Sequence, residues 1–318
     1  MSKYVVGIDG GGTKTTAKII FHNGRPPVLL TGGPLNICSA SKEQVAKTIN
    51  DLVARIEEKA GPLAGCAGIC IGAAGYSNPE AGPFLKRCMQ NSSGCGNVIV
   101  TSDAYIGLCG ALEASQGVIL IAGTGSVCHG INSRGESWRT GGAGHLIDDE
   151  GSGYAIGRDI LSAAVRSFDG RGEPTILVRL LKEHKAIACL EDIVAFTYDG
   201  AADKSLIASV APILTYACDA KDPAALKIAS HAAQELQHMA ATVIDHLGLS
   251  DGAIALRGSI LQKDLYIAKL LTNGLKSRYP SLNIVSSGGE AADGAAFLAS
   301  QTDLTGLPVF FQALPKVP

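Results

Sequence analysis

The stretch Tyr4-Val-Val-Gly-Ile-Asp-Gly-Gly-Gly-Thr-Lys-Thr15 decides the fold. Tyr4 to Ile8 is apolar and β-branched, which predicts a buried strand ending at Asp9. Asp9 to Thr13 is a glycine turn, and Thr15 to Phe21 resumes as a second strand before a turn at His22 to Pro26. Gly10, Gly11 and Gly12 let the backbone approach an anion and present several N–H groups to it. Thr13, Lys14 and Thr15 add hydroxyls and one positive charge at the same turn, and Asp9 is placed to face a hydrated Mg²⁺. An ordinary hairpin turn is the competing reading. The GxxxxGK[ST] pattern of a Walker A loop is absent.

About a hundred residues on, the pattern recurs. Gly117 to Ala122 is an apolar strand, Gly123-Thr-Gly-Ser126 a glycine and hydroxyl turn, and Val127 to Ile131 a second strand closed at Asn132 to Gly135. Two copies of strand, phosphate-sized turn and strand predict two related domains facing each other, each holding one end of a triphosphate. Between and beyond the copies, helical spacing predicts helices over 41–59, 104–114, 155–168, 175–183, 203–219, 223–247, 264–277 and 291–300. Further strands are expected over 66–73, 98–101, 253–256 and 282–285. Short hinges are expected near 115–118 and near the last helix.

Three more clusters carry chemistry. Asp103 follows the apolar strand Val98 to Ser102 and precedes a helix, where strand ends meet a cleft in α/β folds. It reads either as a helix-capping acid or as the base that takes a proton from an attacking hydroxyl. Arg139 to Tyr154 joins a glycine-rich loop to Asp148-Asp-Glu150 and a helix start. A solvated acidic turn would leave those glycines unexplained. Arg257-Gly-Ser259, after a buried strand, is either a nucleoside-binding turn or a plain loop.

The bulk properties set limits. The 318 residues suit two domains, and 46% hydrophobic with 18% charged residues supports large cores rather than disorder. A formal net charge of -2 without a long Lys/Arg run argues against nucleic acid or an anionic membrane as partner. Nine scattered cysteines form no CxxC pair, and no leader-like segment or membrane-length apolar run is present. The expectation is a reduced, cytoplasmic, soluble protein.

Taken together, Ile8 to Thr15, Thr101 to Ala104, Ala122 to Ser126, Gly141 to Gly157, Leu256 to Ile260 and Gly294 to Ser300 resemble the actin-like ATPase superfamily. Within it the chain is most similar to N-acetylglucosamine kinases and BadF/BadG-type ATPases, in order over about residues 4 to 300. The resemblance implies an α/β fold of two ribonuclease H-like domains with an interdomain cleft. The first would span 1–116 and the second 117–300 with a helical insertion, the segment 300–318 returning to the first. It implies ATP and Mg²⁺ as cofactors, with Asp9 organising the metal and Gly11, Gly12, Thr13, Lys14 and Thr15 forming the first phosphate loop. Gly123, Thr124, Gly125 and Ser126 would form the second, Gly258 and Ser259 would approach the nucleoside, and Asp103 would be the base. Asn36, Gly141, Gly142 and Asp149 would contact the sugar. Two positions depart from the family pattern: Ala143 stands where a tryptophan is usual, and Asp148 where a glycine is usual. The implied activity is phosphorylation of an amino sugar at its 6-hydroxyl, N-acetylglucosamine first, with N-acetylmuramic acid and glucosamine as alternatives. An iron–sulfur activator of a dehydratase or reductase is the reading of another class. A homodimer is expected.

Overall fold

The computed structural model describes residues 4–198, 204–286 and 288–301. The apolar tail segment at 305–318 lies outside them. The chain divides into two compact units, one drawn from residues 1–117, 131–137 and 287–318, the other from 118–130 and 138–286.

The first unit opens with β1 (Tyr4–Gly10), β2 (Thr15–Phe21) and β3 (Val28–Gly32), then α1 (Lys42–Ala60), β4 (Gly68–Ala73), α2 (Ala81–Ser93), β5 (Val98–Ser102) and α3 (Asp103–Leu112). Its sheet runs β3-β2-β1-β4-β5. β1 pairs antiparallel with β2 and parallel with β4, so Asp9 sits opposite both Thr16 and Gly72. The even spacing of Thr15, Ala17, Ile19 and Phe21 buries one face of β2 and leaves the alternate residues half-exposed. The stripe Val45, Ile49, Leu52, Val53 and Ile56 of α1 packs onto that core. Ser41 caps α1 by accepting from Gln44 N–H, and Gly61 ends it at positive φ, both as the sequence predicts.

The second unit repeats the plan. It contains β6 (Gly117–Ala122), β7 (Ser126–Ile131), β8 (Ser137–Gly141), α4 (Gly153–Phe168), α5 (Leu177–Lys185), α6 (Leu190–Tyr198), α7 (Lys204–Ala208) and α8 (Ile213–Asp219). Then come α9 (Pro223–Leu247), β9 (Ala253–Arg257), α10 (Ser259–Lys263), α11 (Leu265–Arg278) and β10 (Asn283–Val285). Read from its other edge, the sheet order β8-β7-β6-β9-β10 matches that of the first unit strand for strand. β9 lies parallel to β6 and β10, as β4 does to β1 and β5. The expected helix over 203–219 is two helices, broken by Pro212, whose ring cannot continue a helical ladder.

The last helix, α12 (Ala291–Ser300), was expected in the second domain and instead belongs to the first unit, packed on α3 and β1. Small residues bring these elements together. A Cβ on Gly294 would lie 1.9 Å from the Ile106 carbonyl oxygen, and one on Gly110 would lie 2.1 Å from that of Glu290. Backbone on both sides leaves no flexible neighbour to yield. Gly294→Ala is therefore expected to lower stability by about 3 kcal/mol, read as a fall in the urea midpoint at unchanged slope.

Candidate active site

In the first unit, the strand ends and the loops after them converge on Asp9. The turn closes by Gly11 N–H donating to the Lys14 carbonyl at 3.0 Å. The Gly11 carbonyl in turn accepts from Leu35 N–H at 3.1 Å, and the Gly10 carbonyl accepts from Ala74 N–H at 2.9 Å. These bonds tie the Asn36 loop and the end of β4 to the first glycine turn. Gly75, at φ +76, could carry no side chain, because its Cβ would meet Asn36 Oδ1 at 2.4 Å. Asn36 Oδ1 accepts from Cys38 N–H at 2.8 Å, fixing its side chain in the loop.

Asp103 is the first residue of α3 and is exposed. The cap of that helix is Ser102, whose hydroxyl accepts from Tyr105 N–H at 3.2 Å. Asp103 Oδ1 accepts from Ala104 N–H at 2.8 Å. Capping therefore falls to Ser102 rather than to Asp103. Burial first, and then the carboxylates of Asp103 and Glu290, push the Asp9 carboxyl above the usual carboxylate range. Glu290 caps α12, its N–H donating to Asp293 Oδ2 at 3.0 Å, and Asp293 pairs with Lys18 on β2. Sequence reasoning missed Glu290. Its signal was the Glu-x-x-Asp spacing of a capping box after Gly288-Gly289.

In the second unit, the second glycine turn is built into the loop that precedes α4. Gly153 N–H donates to the Gly123 carbonyl at 2.7 Å and Tyr154 N–H to that of Thr124 at 3.2 Å. Ser126 Oγ donates to the Glu150 carbonyl at 2.7 Å, while Glu150 holds Arg158 through two bonds of 3.0 Å. A cavity of about 490 Å³ opens from Gly123 and Thr124 past Gly153 and Ser259 towards Tyr216 and Lys263. Gly258, at φ +92, backs onto the end of β6, where a Cβ would lie 2.3 Å from the Ala122 carbonyl oxygen. The wall formed by α7 and α8 was not legible as a site, since its serines and threonine form no spaced motif.

Gly141 and Gly142, at φ +72 and +73, turn the chain beside Val127 and leave no space for a Cβ. Beyond them Ala143 N–H donates to Asp148 Oδ2 at 2.9 Å, so the two positions that depart from the family pattern are bonded to each other.

Three expected contacts need correction. Thr15, expected in the first phosphate loop, is fully buried, and its Oγ1 donates to the Gly33 carbonyl at 2.6 Å. Its place in the alternation of β2 directs it into the core, while Thr13 and Lys14 are exposed. The Ser126 hydroxyl is likewise engaged, donating to the Glu150 carbonyl at 2.7 Å. Asp149, expected on the sugar, is only 3% exposed and lies under Gly125, its Oδ1 accepting from Ser126 N–H at 3.3 Å. It sits at φ +63, in the left-handed region that Asp enters more readily than most residues. Gly11, Gly12 and Asn36 lie around the turn that follows Asp9, Asp103 raises the Asp9 carboxyl electrostatically, and Gly123, Thr124 and Ser259 line one cavity.

Two sheets of one repeated order, each carrying a glycine turn after its first strand, define an actin-like α/β fold. The chain belongs to the BadF/BadG/BcrA/BcrD ATPase family, whose model matches residues 6–299. It is 36% identical to the N-acetylmuramic acid/N-acetylglucosamine kinase of Clostridium acetobutylicum over 93% of this chain and 98% of that protein. It is 28% identical to the N-acetyl-D-glucosamine kinase of Dictyostelium discoideum, over 94% and 98%. Among solved structures, a protein of Chromobacterium violaceum proposed to be an N-acetylglucosamine kinase matches with a TM-score of 0.68 at 23% identity. That match covers 93% of this chain and 99% of the other.

Proposed function

We propose that the protein is an ATP-dependent kinase that phosphorylates the 6-hydroxyl of an amino sugar, N-acetylglucosamine first and N-acetylmuramic acid second. The observation that carries the reading is Asp103, an exposed carboxylate at the end of β5 whose charge reaches Asp9 and whose capping duty is performed by Ser102. Both curated relatives above are kinases of these sugars, and they align along nearly their whole length. Free cysteines throughout support a reducing compartment.

In this reading the first unit supplies the reacting end. Asp103 takes the proton from the sugar hydroxyl as its oxygen attacks the γ-phosphorus; the bond from that phosphorus to the β,γ-bridging oxygen breaks, and ADP leaves. Asn36 orients the sugar. Asp9 is a half-buried carboxylate at the end of β1 beside the first glycine turn, and it would hold a hydrated Mg²⁺ through its waters and the phosphates, since among the described residues no three His, Cys, Asp or Glu side chains are grouped to hold an ion. Bound there, the ion would neutralise charge on the phosphates. The second unit supplies the nucleoside cavity, and its glycine turn offers N–H groups to phosphate oxygens.

In this reading the loop from Gly141 to Asp148 bears on the choice among sugars. Ala143 is small, which leaves room for a lactyl ether. The Asp148 carboxylate opposes the negative charge on the carboxylate of that lactyl group. Between two solvated charges such repulsion is worth on the order of 0.6 kcal/mol, or about threefold. Asp148→Asn is thus expected to raise the kcat/KM ratio of N-acetylmuramic acid to N-acetylglucosamine about threefold, with KM for ATP unchanged. The reading as a whole is tested by coupled ADP release over N-acetylglucosamine, N-acetylmuramic acid, glucosamine, N-acetylmannosamine and glucose. N-acetylglucosamine should give the highest kcat/KM. ADP release that is the same with and without every sugar would refute it.

A further inference from the structure

The nucleoside cavity of the second unit has a wall whose chemistry bears on which phosphoryl donor it takes, an inference that rests on the kinase reading. Reading a base edge requires side chains with unfilled donors or acceptors. On the α7–α8 wall the Ser209 and Thr215 hydroxyls are already engaged within the protein, while Thr124 and Ser259 line the cavity at the glycine-turn end. Ser209 Oγ donates to the Leu206 carbonyl at 2.6 Å and accepts from Lys185 Nζ at 2.9 Å. Thr215 Oγ1 donates to Asp264 Oδ2 at 3.1 Å. The other oxygen of Asp264 accepts from Tyr266 and Ile267 N–H, both at 3.0 Å, as the cap of α11. Lys263 is exposed and is a donor only, which suits the N7 acceptor carried by adenine and guanine alike.

What the wall does offer is a ring. Tyr216 on α8 lines the cavity and is 55% exposed. His184 at the end of α5 stacks on it with centroids 5.2 Å apart and planes 10° apart, so the ring is held flat from one side. An aromatic platform accepts any base, because every base has a π-face. A site built to hydrogen-bond a substrate group can reject the analogue lacking it by about 10⁴-fold, and a stacking site has no such lever.

We propose that this cavity takes purine nucleoside triphosphates without selecting among them, the base stacking on Tyr216 on the side opposite His184. The test compares ATP, GTP and ITP as donors at saturating N-acetylglucosamine, for wild type, Tyr216→Phe and Tyr216→Ala. GTP and ITP are expected within tenfold of ATP in kcat/KM. Tyr216→Ala should raise KM for all three by a similar factor, roughly 5- to 100-fold, the range that base stacking supplies, with kcat kept. Tyr216→Phe should change little. A preference for ATP above 100-fold would overturn the proposal, as would an unchanged KM in Tyr216→Ala. Displacement of a fluorescent ATP analogue by ATP, GTP and ITP measures the same ratios without turnover. If no sugar supports turnover with ATP, the kinase reading fails, and the displacement ratios still decide the proposal.

Discussion

Asp103→Ala is expected to lower kcat by about 10²- to 10⁴-fold while the Kd for ATP stays within a few-fold of wild type. The size follows from what a positioned general base contributes. The separation of kcat from binding follows from placement: Asp103 lies in the first unit, whereas the cavity proposed for the nucleoside lies in the second. The fold should survive the change, since Ser102 caps α3 and Asp103 is exposed. Asp103→Asn keeps the shape and removes the basicity, so it should fall nearly as far. Steady-state kinetics with calorimetric ATP binding on the same samples decides this. Turnover within tenfold of wild type in either variant would remove Asp103 from the chemistry.

Asp9→Asn is the second large effect, with an expected fall in kcat of about 10³-fold, the scale of losing one preorganised electrostatic partner or a metal's charge stabilisation. Its signature in stability has the opposite sign. The native carboxyl is held above its ordinary value of 3.8 by burial and by Asp103 and Glu290. Between that value and the higher native one, the folded state binds more protons than the unfolded chain. Stability contributed at this group therefore falls as pH rises through that window, and the penalty is complete above it. At pH 7 without divalent cation, Asp9→Asn should melt higher than wild type. Adding Mg²⁺ should raise the Tm of wild type and not that of the variant. Equal Mg²⁺ shifts in both proteins would place the cation elsewhere.

Much of the frame was legible because period and punctuation agree locally. The alternation of β2, the Ser41 and Gly61 ends of α1, and the bounds of β6 and α12 follow from residues within a few positions of each element. The two glycine turns were legible as a repeat, and the repeat extends to the order of both sheets. Long-range packing was not legible. α12 looks like a C-terminal helix of the second unit until Gly294 and Gly110 are seen to meet backbone across α3. Hydroxyls near the turns were read as ligand groups by type alone. Thr15 and Ser126 point instead at the carbonyls of Gly33 and Glu150, partners 18 and 24 residues away. Glu290 is 281 positions from Asp9, and only the packing of α12 makes it a neighbour in the electrostatics of that group.

The most direct measurement is the identity of the product formed from ATP and N-acetylglucosamine, followed by ³¹P and ¹H NMR. The account predicts one new phosphomonoester resonance, coupled to the two protons on C6, appearing in step with ADP. Inorganic phosphate released with the sugar unchanged, or an ester on another carbon, would contradict it.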